Sequence, residues 1–209
     1  MIRRLLALAF LVASGAAAQS YNYPALQTPR IVDREYNFAA ASGAGTSLYF
    51  QWREGASETL QWGVDAGLVA PKGGGDTRLL FGGSVAYQIS RSNDDLPFDI
   101  ALTGGIGASF ANGNSVSRIP LGAVIGHSFL LDGGYRLTPY AHPRLSLDHC
   151  GSCAGNNSKV DVDVDLGLDF VMTPQISLRA AVLLGGTDYF GGNSSVGFSL
   201  AWTPKGLKK

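Results

Sequence analysis

Apolar and charged residues alternate strictly along residues 160–170, which read VDVDVDLGLDF. In a β-strand, successive side chains point to opposite faces, whereas a helix would spread these carboxylates around its axis. One face of the predicted strand is therefore wholly apolar. A strand of this kind is typical of a barrel that has lipid outside and a polar lumen inside. The carboxylates on the other face are Asp161, Asp163, Asp165 and Asp169.

The same alternation recurs along the chain and predicts ten strands. Most of them reach the roughly 9–11 residues that a tilted strand needs to cross a bilayer. An even number of antiparallel strands closes a barrel with both termini on one side. We therefore predict an all-β fold, a single antiparallel transmembrane β-barrel of about ten strands, with eight as the alternative. The predicted strands span residues 34–42, 46–53, 58–70, 77–90, 97–111, 115–131, 135–149, 159–172, 176–188 and 194–203.

A soluble β-barrel or sandwich would also alternate, with its apolar side chains inside. Two observations favour the membrane barrel. The polar face is largely Gly, Ala, Ser and Thr, which suits a narrow lumen better than a surface in water. If both termini are periplasmic, the outward aromatic residues also lie near the periplasmic ends of the strands, as in a girdle at the bilayer–water boundary. The girdle residues are Tyr36, Trp52, Trp62, Tyr87, Phe98, Phe129, Tyr135, Phe170 and Trp202.

The first residues have the three parts of a cleaved export signal. Arg3 and Arg4 form a basic region, residues 5–12 form an apolar region, and residues 16–18 (AAA) form a cleavage site before Gln19. The apolar region is too short for the roughly 20 residues of a spanning helix. We therefore predict a signal peptide over residues 1–18, an irregular periplasmic lead-in over 19–30, the barrel over 31–204 and a C-terminal tail over 205–209.

Charge narrows the range of partners. Without Arg3 and Arg4, the chain carries fourteen basic and sixteen acidic side chains, which is a net charge near −2. Nucleic-acid binding calls for a basic stripe, so this balance argues against it. The mature chain of about 190 residues has the length of one domain.

After residue 30 the chain resembles the small outer-membrane β-barrel proteins of diderm bacteria. The resemblance rests on the signal peptide, the paired amphipathic strands, tight turns such as residues 173–175 (TPQ) and a terminal strand rich in alternating apolar residues. It implies a location in the cell outer membrane, contact with outer-membrane lipid and lipopolysaccharide, and insertion by the outer-membrane assembly machinery. It implies an architecture and no particular activity, and we expect no cofactor.

Two cysteines lie in the longest predicted loop, in the run Cys150-Gly151-Ser152-Cys153. In an exported protein such a pair is most simply a disulfide, which would stiffen the loop tip. Redox-active thiols are an alternative, but the helix N-terminus that lowers a thiol pKa in C-x-x-C enzymes is missing. A metal site with His149 is another alternative, although a fourth ligand is not evident.

Catalytic candidates are few. His127 and Ser128 would suit a serine esterase, as in some lipid A deacylases, but neighbours on a strand face opposite sides and cannot easily share a proton. Asp148, His149 and Asp188 lie roughly where the ten-stranded omptin proteases place their acid and His residues, but the loops here are short for such a cleft. We therefore expect no catalytic residues.

The inward-facing charges predict a network in the lumen. Opposite charges directly across a strand pair contribute roughly 0.2–1 kcal/mol each. The pairs that the register predicts are Asp169–Arg179, Arg144–Asp165 and Arg118–Asp148. The whole predicted network comprises Arg118, Arg136, His142, Arg144, Asp148, Asp161, Asp163, Asp165, Asp169 and Arg179.

This network fits two functions. It could be a selective polar path or a salt-bridged filling of a narrow barrel. Barrels of about eight strands have interiors just filled by side chains, and open aqueous channels appear near sixteen. We therefore expect a non-catalytic outer-membrane protein with a structural or surface role and a largely closed lumen. The alternatives are a narrow channel or carrier for small solutes and, third, an outer-leaflet enzyme.

Overall fold

The computed structural model describes residues 23–43, 45–72, 75–93, 96–151, 157–185 and 194–205. The predicted signal peptide lies outside the described residues. No helix among the described residues is long and apolar enough to cross a membrane. The strands are β1 (Arg34–Ser42), β2 (Gly45–Gly55), β3 (Leu60–Pro71), β4 (Arg78–Ser90), β5 (Asp99–Ala111), β6 (Asn114–Gly126), β7 (Phe129–Leu130), β8 (Arg136–Cys150), β9 (Ser158–Thr173), β10 (Ile176–Leu184) and β11 (Ser195–Trp202).

Ten of these strands form a closed antiparallel barrel. Most strands pair with their neighbours in sequence, and β1 pairs with β11. Strand β6 pairs with β8, so the ring closes around the short β7, which pairs only with the start of β8. The predicted fold class and the count of ten barrel strands are confirmed, and the alternative of eight is wrong.

The largest difference from the predicted strands follows β6. The prediction continued that strand from residue 115 to 131, whereas β6 ends at Gly126 and the chain then forms β7 and a short 3-10 turn over Asp132–Gly134. Gly133 and Gly134 both have a φ of 81°. Glycine adopts this left-handed conformation at no steric cost. The two glycines therefore let the chain reverse, and β7 folds back onto β8.

The barrel is polar inside and apolar outside. On β9, Asp163 and Asp165 are fully buried, whereas Val160 and Val162 are 73% and 60% exposed. The same alternation of burial runs along the other long strands. A soluble protein has the opposite arrangement, while a barrel that crosses a bilayer needs an apolar exterior.

The nine predicted girdle residues lie in a band at one end of the barrel, while Phe81 and Phe110 are exposed towards the other end. The Tyr36 ring stacks on Trp202 and Trp52 with centroids 5.6 Å and 6.5 Å apart, and Trp52 contacts Trp62 at 5.0 Å. All nine predicted girdle residues lie in or beside the strand ends on this side. In an antiparallel barrel each strand starts at the side where its neighbour ends, so these residues alternate between the starts and the ends of successive strands. We call this side of the barrel the girdle end.

Candidate functional site

The lumen is the candidate functional site, and Arg118 on β6 anchors a fully buried ion-pair cluster there. Arg118 Nε and Nη2 each donate to Asp148 at 2.7 Å, as the register predicts. Its Nη1 lies 3.3 Å from Asp163 Oδ2, which also accepts a hydrogen bond from Ser146 at 2.6 Å. Since all three charged side chains are fully buried, each charge depends on its partners for neutralisation.

Arg144 on β8 anchors a second cluster at mid-height. Its Nη1 and Nη2 donate to Asp165 at 2.6 Å and 2.7 Å, the second predicted pair. The Nη1 atom also lies 2.9 Å from His142 Nδ1. A guanidinium has no acceptor, so Nδ1 accepts and Nε2 carries the ring hydrogen, which it donates to Thr103 Oγ1 at 2.8 Å. His142 thus links β8 to β5 as a neutral ring.

Arg179 on β10 holds two carboxylates near the girdle end. Its Nε donates to Asp169 at 3.0 Å, directly across the β9–β10 ladder, so the third predicted pair is also present. Its Nη1 and Nη2 donate to Glu35 on β1 at 2.7 Å and 2.5 Å. The predicted network omitted Glu35. Strand β11 separates β1 from β10, so the register of neighbouring strands could not reveal this contact.

Strands β2 and β3 contribute a further pair that the prediction omitted. Arg53 forms an ion pair with Asp65, and Gln51 donates to the same carboxylate at 2.7 Å. Gln51 also accepts a hydrogen bond from Asn37 at 2.6 Å. Strand pairing alone does not predict the Arg53–Asp65 ion pair, because Gln51 rather than Arg53 lies directly opposite Asp65.

Two predicted members of the network form no ion pair with any described residue. Asp161 accepts a hydrogen bond from the backbone N–H of Val162 at 2.9 Å. Arg136, at the start of β8, has a buried Nε with no hydrogen-bond partner. These two residues therefore join the predicted network through no ion pair, and their membership stays a prediction. Opposite them across the β8–β9 ladder lie Ser146 and Val171, neither of which carries a charge.

Residues 23–32 run through the lumen without helix or strand, and we call this segment the N-terminal plug. The Tyr23 ring lies against Gly82 and Gly105, and a Cβ at Gly82 would overlap it. These glycines on β4 and β5 therefore leave room for the plug. Burial raises the pKa of the Tyr23 hydroxyl above its ordinary value.

Side chains of the barrel wall hold the backbone of the plug. Arg144 Nη1 donates to the carbonyl oxygen of Pro24 at 3.0 Å. Gln51 Nε2 donates to the carbonyl oxygen of Ala25 at 3.2 Å. These donors lie on β8 and β2, in different parts of the ring. The plug is therefore enclosed by the barrel.

The plug is held again where it enters at the girdle end. Gln88 Nε2 donates to the carbonyl oxygen of Pro29 at 2.9 Å, and Gln88 Oε1 accepts from the backbone N–H of Ile31 at 3.0 Å. Arg30 Nε donates to Asp99 at 2.8 Å. Polar groups of an irregular segment need such partners once they leave water.

The plug corrects the predicted periplasmic lead-in. The prediction placed residues 19–30 outside the barrel, whereas the described part, residues 23–30, lies inside it. The segment is irregular, as predicted, but the lumen provides hydrogen-bond partners for its backbone. Residues 19–22 lie outside the described residues.

The catalytic candidates do not assemble into a catalytic pair. The Ser128 hydroxyl lies 2.9 Å from Thr138 Oγ1 on the lumen side. The His127 ring packs against Phe129 at 4.5 Å, in the aromatic band outside. Of the protease candidates, Asp148 forms an ion pair with Arg118, and His149 Nδ1 lies 2.9 Å from the Ser158 hydroxyl. Asp188 lies outside the described residues.

The cysteine loop is described only in part. Cys150 ends β8, is buried, and its backbone N–H donates to Asn157 at 2.8 Å. Cys153 lies outside the described residues, so the Cys150–Cys153 disulfide stays a prediction. Across the described ranges, no three His, Cys, Asp or Glu side chains are placed together to hold a metal ion.

Comparison with solved structures supports the architecture. A structure described as a bacterial polysaccharide outer membrane secretin aligns with a TM-score of 0.52 at 11% identity, covering 84% of this chain and 67% of that one. The chain has the fold of an outer-membrane β-barrel. The likeness extends to the fold alone, because the identity is so low.

Two further structures align less closely. A KdgM porin aligns with a TM-score of 0.43 at 7% identity, covering 81% of this chain and 99% of that one. Outer membrane phospholipase A from Escherichia coli aligns with a TM-score of 0.35 at 10% identity, covering 83% and 93%. No protein-family model and no curated protein matches the sequence.

Proposed function

We propose that the protein is a non-catalytic outer-membrane β-barrel whose lumen is closed by its own N-terminal plug and by buried ion pairs. The observation that carries this proposal is the position of the plug. Its Tyr23 and Leu26 side chains are 1% exposed, and wall side chains bind its backbone at several heights. A channel needs a continuous aqueous path, and here peptide and salt bridges fill the space where that path would run.

The exterior supports the proposed location and partners. Its apolar side chains would contact outer-membrane lipid and lipopolysaccharide, and the aromatic band would lie at one bilayer–water boundary. The outer-membrane assembly machinery would insert such a barrel. A structural or surface role follows from a lumen that lets no solute pass and from catalytic candidates that point to opposite sides of the wall.

Planar bilayer recordings test the closed lumen. We expect the full-length mature protein to give no sustained single-channel conductance. Deletion of residues 20–30 should produce small, stable conductance steps, because the ring that remains has an unfilled interior. A variant in which residues 20–30 are replaced by Gly and Ser at equal length separates the loss of the plug from the loss of chain length.

The outcomes of this experiment separate the candidate functions. Sustained conductance by the full-length protein would contradict the closed lumen and favour the narrow channel. If the deletion variant also shows no conductance, the buried ion pairs close the lumen without the plug. Heat-modifiable migration in detergent gels should show that each variant has folded, since closed barrels resist unfolding.

A further inference from the structure

A cavity of about 130 Å³ lies at the girdle end of the lumen, between the N-terminal plug and the wall. Thr28, Pro29 and Arg30 of the plug line one side, and inward residues of β8, β9 and β10 line the other. Its volume exceeds that of a single water, which occupies roughly 30 Å³ of liquid. The cavity is therefore large enough for a small polyatomic solute.

Arg136 brings to this cavity a positive charge that is in no ion pair with a described residue. Its Nε is buried without a hydrogen-bond partner, and it forms no ion pair with any described residue. The cavity also contains the carboxylates of Glu35 and Asp169, but Arg179 already binds both of them through three hydrogen bonds. Among the arginines that line the cavity, Arg136 is therefore the one without a carboxylate partner among the described residues.

Ser177 adds a second donor to the cavity. Its side chain is buried on the inward phase of β10, and no described residue forms a hydrogen bond with its hydroxyl. A guanidinium together with a hydroxyl suits an oxyanion, since the planar fork of arginine matches phosphate geometry. Because the cavity lies inside the barrel wall, the solute would come from the aqueous phase rather than from the lipid around the barrel.

We propose that this cavity binds a phosphate group, free or carried by a small soluble molecule, with Arg136 as the charged donor and Ser177 as the second. The bound anion lies between the plug and β8–β10 and so ties the plug to the wall. The effect of the bound anion on the plug rests on the proposed function, in which the plug closes the lumen. The binding site itself does not require a closed lumen.

Titration with inorganic phosphate tests the site. The full-length protein in phosphate-free detergent should show heat of binding and a rising unfolding midpoint, compared with chloride at equal ionic strength, because a ligand that binds only the folded state stabilises it. Arg136→Gln should weaken binding by about 10-fold or more, as expected for loss of a charge-assisted hydrogen bond. Arg136→Lys should retain part of the affinity. Arg91→Gln removes an exposed charge from the same end and should bind as tightly as the parent.

Two results would contradict the proposed phosphate site. One is the absence of phosphate-specific heat, and the other is equal affinity in Arg136→Gln and the parent. Ser177→Ala should weaken binding by a smaller factor, and it offers a milder variant should Arg136→Gln fail to fold. Phosphate binding by a protein that conducts in bilayers would leave the site standing and reject the closed lumen, so the two proposals fail separately.

Discussion

Arg118→Ala should lower the free energy of unfolding by about 3–5 kcal/mol, the usual cost of breaking a buried pair by removing one partner. Asp148 and Asp163 would stay fully buried after losing their contacts with Arg118. The measurement is urea unfolding of the folded barrel, followed by tryptophan fluorescence. The chain has three tryptophans, Trp52, Trp62 and Trp202, and all lie in the exterior band away from this cluster.

Two matched variants give this prediction its control. Arg34→Ala removes an arginine that also binds a carboxylate through two hydrogen bonds, but its side chain is 30% exposed at the rim. Its loss should cost much less stability, because ion pairs near the surface are screened by water. Adding Asp148→Asn and Asp163→Asn to Arg118→Ala should recover part of the stability. Equal losses in Arg118→Ala and Arg34→Ala would mean that water reaches the Arg118 cluster.

Arg179→Ala should have the second-largest effect, near 3 kcal/mol, because it leaves two buried carboxylates close together. The double variant with Asp169→Ala should recover part of this loss. The triple variant that adds Glu35→Ala should recover more, since Glu35 is the partner of both Nη atoms. The coupling between Asp169 and Arg179 should be at least ~0.5 kcal/mol, the lower range for residues in direct contact.

This series also tests the geometry of the cluster. Strictly additive single substitutions would mean that the groups are hydrated or not in contact. If the double variant recovers all of the lost stability, Glu35 does not depend on Arg179, which would contradict the contact between β1 and β10. Unfolding in urea, measured for all variants under the same lipid conditions, distinguishes these results.

The alternation of residues predicted most of the barrel, and the physical reason is visible on β9. Each aspartate there must face either lipid or lumen, and only one of the two phases of the strand puts all four inside. The short turn at residues 173–175 then sets the register that places Asp169 opposite Arg179, so this ion pair followed from strand pairing. The pair Arg118–Asp148 followed in the same way, whereas Arg144 reaches diagonally to Asp165 although Asp163 lies directly opposite it.

Contacts that cross the lumen could not be predicted from alternation. Glu35 meets Arg179 across a strand that separates them, and the distance depends on the shape of the ring rather than on register. The plug has no periodicity of its own, because its polar groups bind wall side chains one at a time. Glycines lie along its path, since Gly82 and Gly105 contact Tyr23 and a Cβ at Gly126 would meet Pro29, but glycines are too frequent in this sequence to single these out.

Thiol labelling of the plug tests the central claim most directly. Ala25→Cys, in a chain that also carries Cys150→Ser and Cys153→Ser, places one thiol at a position that is 4% exposed inside the lumen. Ser57→Cys, in the exposed turn between β2 and β3, is the matched control. We expect a hydrophilic maleimide to label Ala25→Cys at least about 100-fold more slowly than Ser57→Cys, an opening free energy near 2.8 kcal/mol. Similar labelling rates at the two positions would place the segment outside the barrel and contradict the account.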